Sequence, residues 1–219
     1  MRTEIHTRKR AFPVRGWLVV LLVVCSLQLV AGPLRNVSRP EKVWSVFHPF
    51  KAVKVKHCAD RAQFVTDSLE KAGTLTDKNG GQLDAFRHAY WMALLITDGM
   101  RANVVRKAGE RHEKGNYLDF KRGKLEDASR PDSMMCVMDL NNNSEGIRIG
   151  KEYLKGNIRM SLIGYIINEI WNGKLSIMSR NEKGEYLDRD GNRIDLTQYK
   201  GKWYIPKVIV NSDRIVVPH

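Results

Sequence analysis

Residues 82–96 read Gln-Leu-Asp-Ala-Phe-Arg-His-Ala-Tyr-Trp-Met-Ala-Leu-Leu-Ile, and Asp98-Gly99 follows closely. This stretch decides the fold class. It is too long for an ordinary strand, it is strongly apolar, and a helix-stopping pair ends it, so it predicts a helix. Asp84, Arg87 and His88 interrupt it, and polar groups placed in so apolar a helix cost free energy unless satisfied or used.

Working outward, residues 50–73 carry Ala52, Val55, Cys58, Ala62, Val65 and Leu69 at threes and fours, a second helical period. The intervening 74–81, ending in Asn79-Gly80-Gly81, reads as a loop. Downstream, 102–114 reads as a helix stopped by Gly115-Asn116. Residues 116–135 are polar and basic, and a short segment starts at Arg130-Pro131-Asp132-Ser133 and runs through Met138. Two more helices are expected at 144–154 and 158–171, the last rich in Ile and expected at the centre of the core. Beyond Asn172-Gly173 the pattern changes to Val/Ile/Tyr runs broken by turn signals at 181–184, 190–192 and 200–201. The expected fold is therefore mainly α: a compact helical domain of about five to six helices, residues 50–173, with a small C-terminal β-hairpin appendage, 174–219. Asp188, Asp190 and Asn192 imitate the start of an EF-hand loop, but Tyr199 stands where the bidentate acid belongs, so a β-turn is expected.

The N-terminus bears on location. Residues 1–16 hold Arg2, Arg8, Lys9, Arg10 and Arg15 against Glu4, and Trp17–Gly32 is an uncharged apolar run of 16 residues. A basic region followed by a short apolar core is the export pattern. The run is shorter than the ~20 residues of a spanning helix. Residues 1–32 are thus expected to be a signal peptide or an N-terminal membrane anchor, and 33–49, with Pro33, Pro40 and Pro49, an extended lead-in linker. Cys25 follows Val24, too bulky for a lipobox, and reads as one more apolar residue. The rest of the chain is expected outside the cytoplasm, periplasmic or membrane-anchored in the cell envelope.

Composition bounds the function. With 42% hydrophobic and 28% charged residues the 219-residue chain is globular, neither disordered nor multispanning. Three cysteines are too few for a disulfide scaffold or a four-cysteine zinc site; Cys58 and Cys136 could pair in an oxidising compartment. The net charge of +13 invites an anionic partner. The basic residues are scattered and form no recognisable nucleic-acid motif, so nucleic acid is disfavoured as a partner.

Three segments carry the chemistry. Asp84 and His88 are four apart on one helical face, where the carboxylate can fix the imidazole tautomer; Arg87 and Trp91 form the neighbouring pair and could stack. His112-Glu113 lacks the second histidine of a zincin motif, since Asn116 occupies that place. Met138-Asp139-Leu140-Asn141-Asn142-Asn143, followed by Glu145-Gly146, places Asp139 and Asn142 three apart, with a small residue a turn further that would let another helix approach. The same run is equally readable as a helix cap. Two arrangements are open. In one, His88, His112 and Asp139 hold zinc or a similar divalent metal with an open position for water. In the other, which is preferred, Asp84 orients His88 as a general base, and Glu113 or Asp139 supplies the acid.

DAFRHAYW at 84–91, HEKGNY at 112–117 and PDS at 131–133 with MDLNNNSEG at 138–146 resemble an uncharacterised bacterial domain family of secreted and envelope proteins, also found at the C-termini of polymorphic-toxin-like proteins. The resemblance covers about residues 50–155. It implies that Asp84, Arg87, His88, Trp91, His112, Glu113, Asp139, Asn142 and Gly146 form one shared site, and it implies no particular reaction. The chain's own export pattern sets it apart from the toxin-type members.

Three functions remain in play. The foremost is an envelope hydrolase acting on a lipid or cell-wall substrate through the His/Asp/Glu site, with anionic headgroups or wall polymers favoured by the basic surface. The second is a non-catalytic, membrane-anchored envelope protein in which the same residues form a structural polar network. The third is a toxin-like nuclease.

Overall fold

A computed structural model describes residues 38–125, 130–156 and 158–214. The export segment expected at 1–32 lies outside the described residues. No described helix is long and apolar enough to cross a membrane.

Among the described residues the fold is six α-helices and a two-stranded antiparallel sheet: α1 Arg39–Phe47, α2 Pro49–Lys71, α3 Gln82–Thr97, α4 Ala102–Lys121, α5 Ser133–Leu154, α6 Leu162–Trp171, β1 Ser176–Met178 and β2 Ile209–Asn211. The mainly α class with a small β element is as expected. Helix α3 is apolar nearly all round and correspondingly buried nearly all round, with α2, α4, α5 and α6 packed about it. The centre of the core is thus α3, with Phe86, Ala89, Met92 and Leu95 wholly buried, and not the Ile-rich α6. Helix α6 turns Ile166, Ile167 and Ile170 inward but leaves Trp171 exposed.

Two glycines mark close approaches between elements. Helix α4 runs straight through Gly115-Asn116 to Lys121. Gly115 is a contact point: a Cβ there would lie 2.5 Å from Ser38, at the start of α1. Likewise Gly146 lies inside α5 against the backbone of Ala89 on α3, where a Cβ would come 2.2 Å from the carbonyl oxygen. Both residues are small because another element passes over them: Gly115 does not mark the expected helix end, and Gly146 admits a neighbouring helix as expected.

Helix α5 begins at Ser133, eleven residues before the start expected for it at 144, and absorbs the Asn run. Its N-cap is Asp132, whose Oδ1 accepts from Met134 N at 2.9 Å and Met135 N at 3.2 Å. Asp139 is therefore in the helix interior. Residues 39–47, expected as part of an extended lead-in, form α1: Pro40 stands in the first turn, where its missing N–H is harmless, and Glu41 reaches back to Ser38 N at 2.9 Å.

Strand β1 pairs with β2 in the register Ser176↔Asn211, Ile177↔Val210, Met178↔Ile209, and two further bridges, Arg180↔Tyr186 and Leu187↔Arg193, close turns between them. The EF-hand-like residues sit in the second of these turns, where Asp188 Oδ1 accepts from the N–H groups of Asp190 and Asn192 at 2.9 and 2.8 Å. This tail is bonded into the helical body. Met178 N donates to Gly80 O at 2.7 Å, Ser133 N to Trp203 O at 2.9 Å, and Gln82 Nε2 to Ser212 O at 2.9 Å. Lys207 Nζ lies 2.6 Å from Asp132 Oδ2, both buried, with its ammonium 3.8 Å from the centre of the Tyr186 ring. Cys58 and Cys136 are buried and no disulfide joins them; Cys58 instead points at Asp98 Oδ2, 3.7 Å away. Burial, with Asp98 adding to it, pushes the Cys58 thiol up to about 11.

Candidate functional site

Helices α3 and α5 cross at Gly146, and that close approach brings their polar residues together. From α3 come Asp84, Arg87 and His88; from α5 come Asp139 and Asn143. His88 is only 2% exposed. Its Nδ1 lies 3.3 Å from Asn143 Oδ1, and its Nε2 faces both Asp139 Oδ1 at 3.4 Å and Asp84 Oδ1 at 3.6 Å. Asp84 is itself held at both oxygens: Gly80 N donates to Oδ2 at 2.9 Å and Arg87 Nη2 to Oδ1 at 2.6 Å. The same Nη2 is 3.4 Å from His88 Nε2.

Asn143 is the group at Nδ1, and Asp84 stands on the Nε2 side. When Nδ1–H donates to that amide oxygen, Nε2 is left as the lone-pair nitrogen, turned toward two carboxylates and a guanidinium. Arg87 reaches Asp84, while the Trp91 indole meets the His112 ring edge-on, 5.4 Å between centroids, and donates its N–H to Val55 O at 3.2 Å.

His112, on α4, stands beside this centre with its ring 6.0 Å from that of His88. Its Nδ1 is 3.4 Å from Glu41 Oε1 on α1. Burial raises the Glu41 carboxyl, but His112 and Ser38 together outweigh it and hold the group below its usual value. Glu113 is buried and accepts from Asn116 on its own helix at 3.0 Å. Asn142 is wholly buried and turned elsewhere: its amide donates to Ser176 O at 2.9 Å and accepts from Ser176 N at 2.8 Å, pinning β1 to α5. Reading the sequence singled out Asn142 and passed over its neighbour Asn143. The run of three asparagines offered no means of ranking them. It also passed over Glu41, whose only signal was an acid three residues after Ser38.

Asp84, His88 and Asp139 each present one ligand atom within 4.8 Å of the others, all buried. A tetrahedral ion with ~2.1 Å bonds spaces its donors about 3.4 Å apart, close to the 3.4 and 3.6 Å separations at Nε2. Among the described residues it is these three, and not the expected set of His88, His112 and Asp139, that bring one ligand atom each this close together. Yet a cation already stands here: the Arg87 guanidinium bonds Asp84 Oδ1 and borders Nε2. The cluster thus sets two carboxylates and one guanidinium about one imidazole.

No curated protein and no solved structure matches the chain. A family model, however, matches residues 42–174, which contain every residue of this cluster together with Glu41's partner His112 and the crossing glycine. The match spans more than half of the chain, and the protein belongs to this family, the domain of unknown function DUF6973.

Proposed function

We propose that the chain is a hydrolase of the bacterial cell envelope, acting on a lipid or cell-wall substrate, with His88 as general base. The observation that supports it best is the buried imidazole whose Nε2 faces Asp84, Asp139 and Arg87 while Asn143 holds Nδ1. Burying two carboxylates in an apolar helix pair costs several kcal/mol before any pairing is recovered, and such arrangements concentrate at working sites. In this reading Nε2 takes the proton of an attacking water as its oxygen bonds to the ester, phosphoryl or acyl centre. Asp139 and Asp84 stabilise the imidazolium that forms, and the same proton then passes to the departing oxygen or nitrogen. Arg87, with a side chain 20% exposed, is the group placed to meet an anionic substrate atom. The basic composition and the export pattern support an envelope location and an anionic substrate.

A second reading has an observation of its own. His88, Asp84 and Asp139 are so fully enclosed that they also suit a non-catalytic network that sets the register of α3 on α5. His88→Asn separates the two, because the Asn amide retains a donor near the Nδ1 position and removes Nε2. Purified full chain would be assayed against phospholipid vesicles and wall fragments. The hydrolase reading expects turnover that falls by about 10²–10⁴-fold in the variant with melting little changed. Wild-type chain that hydrolyses none of these substrates, or a variant as active as wild type, overturns it.

A further inference from the structure

We infer that the corner between α1 and α2 is a docking surface for an anionic lipid bilayer. Five large apolar residues crowd positions 43–53 and face water: Val43, Val46, Phe47, Phe50 and Val53 are each more than half exposed, Phe47 by 75% and Phe50 by 91%. Single exposed apolar side chains are ordinary, but a contiguous set marks an interaction surface. On α1 the outward set falls at i, i+3 and i+4, while Trp44 and Ser45 turn inward. Trp44 is held there by stacking on His48 and by the guanidinium of Arg111 above its ring. The helix is therefore fastened by one face and offers the other. Phe50 and Val53 continue the patch onto the first two turns of α2.

The occupant follows from charge and chain length. Arg39, Lys42 and Lys51 flank the patch in sequence and are exposed, Lys54 reaches back to the Asp98 carbonyl at 2.7 Å, and the acid nearest in sequence, Glu41, is engaged by Ser38 and His112. An apolar face fringed by lysine and arginine suits the headgroup layer of an anionic membrane and disfavours a second copy carrying the same fringe. Upstream, the uncharged run 17–32 is separated from Arg39 by six residues, 33–38. Six extended residues span at most about 20 Å, so a membrane-held run keeps this corner within reach of the same bilayer. The inference rests on the envelope reading for location and not on hydrolysis. It also places the site behind a lipid-facing helix, because α1 carries Glu41, whose carboxylate meets His112 beside His88.

The test uses full-length chain in vesicles of equal phosphatidylglycerol and phosphatidylcholine, with a polarity-sensitive dye on one cysteine at a time. Dye on native Cys25 reports the apolar run; Phe50→Cys and Asp190→Cys, each with Cys25→Ser, report the corner and an exposed turn of the tail. Cys58 and Cys136 are buried and stay unlabelled. The expected result is about a twofold loss of fluorescence at position 50 when the lipids carry a shallow quencher, with position 190 unaffected. Quenching at Cys25 but not at position 50 overturns the docking surface and leaves the envelope location intact. Quenching at neither overturns both. A position-50 probe shielded from water yet unquenched, in a chain that sediments as a dimer, gives the surface to a second copy and equally overturns the inference.

Discussion

Replacing Gly146 by Ala tests the crossing on which the whole site depends. The added Cβ would stand 2.2 Å from Ala89 O, 2.7 Å from Ala89 Cα and 2.8 Å from Ala89 C, whereas ordinary contacts begin at 3.4 Å. All three atoms are backbone, so no side chain can swing aside, and α3 and α5 must part by about 1.2 Å or bend. Forcing one methyl into a close-packed interior costs about 3 kcal/mol when the neighbours cannot yield. The gain in helix propensity from Gly to Ala returns at most about 1 kcal/mol. The net loss of about 2–3 kcal/mol lowers the melting temperature by roughly 4–12 °C for a domain of this size. Helical circular dichroism through thermal and urea unfolding reads it. Gly164→Ala is the matched control, since it is also helical but meets only the Ser161 hydroxyl, at 3.3 Å; its stability should change by less than about 1 kcal/mol. A Gly146→Ala chain that melts with wild type, or no lower than the Gly164 variant, would refute the close crossing and with it the geometry that joins His88 to Asp139 and Asn143.

Three further outcomes follow from the same contacts. Asn142→Ala deletes both hydrogen bonds to Ser176 and should cost about 2 kcal/mol, with amide exchange rising in 176–178 before it rises in α3. Asp132→Asn leaves the buried Lys207 ammonium without its counter-charge and weakens the α5 cap, a loss of about 3–5 kcal/mol; in a double-mutant cycle, adding Lys207→Met should recover part of it, and simple additivity would contradict the pairing. Glu41 has a folded-state pKa below its unfolded value, so its contribution is present above about pH 4.5 and is lost as the pH falls through the depressed value. The stability gap between wild type and Glu41→Gln should accordingly close in acid; a gap that widens as the pH falls through the Glu41 titration would contradict the sign.

The helical class was legible because helix formation is local. Periods of three and four along 50–73 and the unbroken apolar run of 82–96 need no knowledge of any other part of the chain. Helix ends were less legible where glycine serves packing. Gly115 looks like a stop in sequence, but it is small because Ser38 occupies the space a side chain would need, whereas Gly146 was legible as a point of helix approach and meets Ala89 there. The start of α5 was misplaced for a related reason. An asparagine run usually favours turns and caps, since its side chains compete for backbone groups, but here Asn142 and Asn143 find partners in Ser176 and His88 and the helix continues.

The candidate site divides along the same line. Sequence alone determined that Asp84, Arg87 and His88 share a helix face and that their polarity is out of keeping with the apolar run around them, because spacing within one helix sets which side chains are neighbours. It could not determine that Asn143, 55 residues away, would meet Nδ1, that Asp139 would come to Nε2, or that Glu41 would engage His112 across 71 residues. Those contacts depend on where α5 crosses α3 and where α1 lies on α4. Tertiary packing decides both through shape, at the two glycines where backbones and neighbouring side chains can approach.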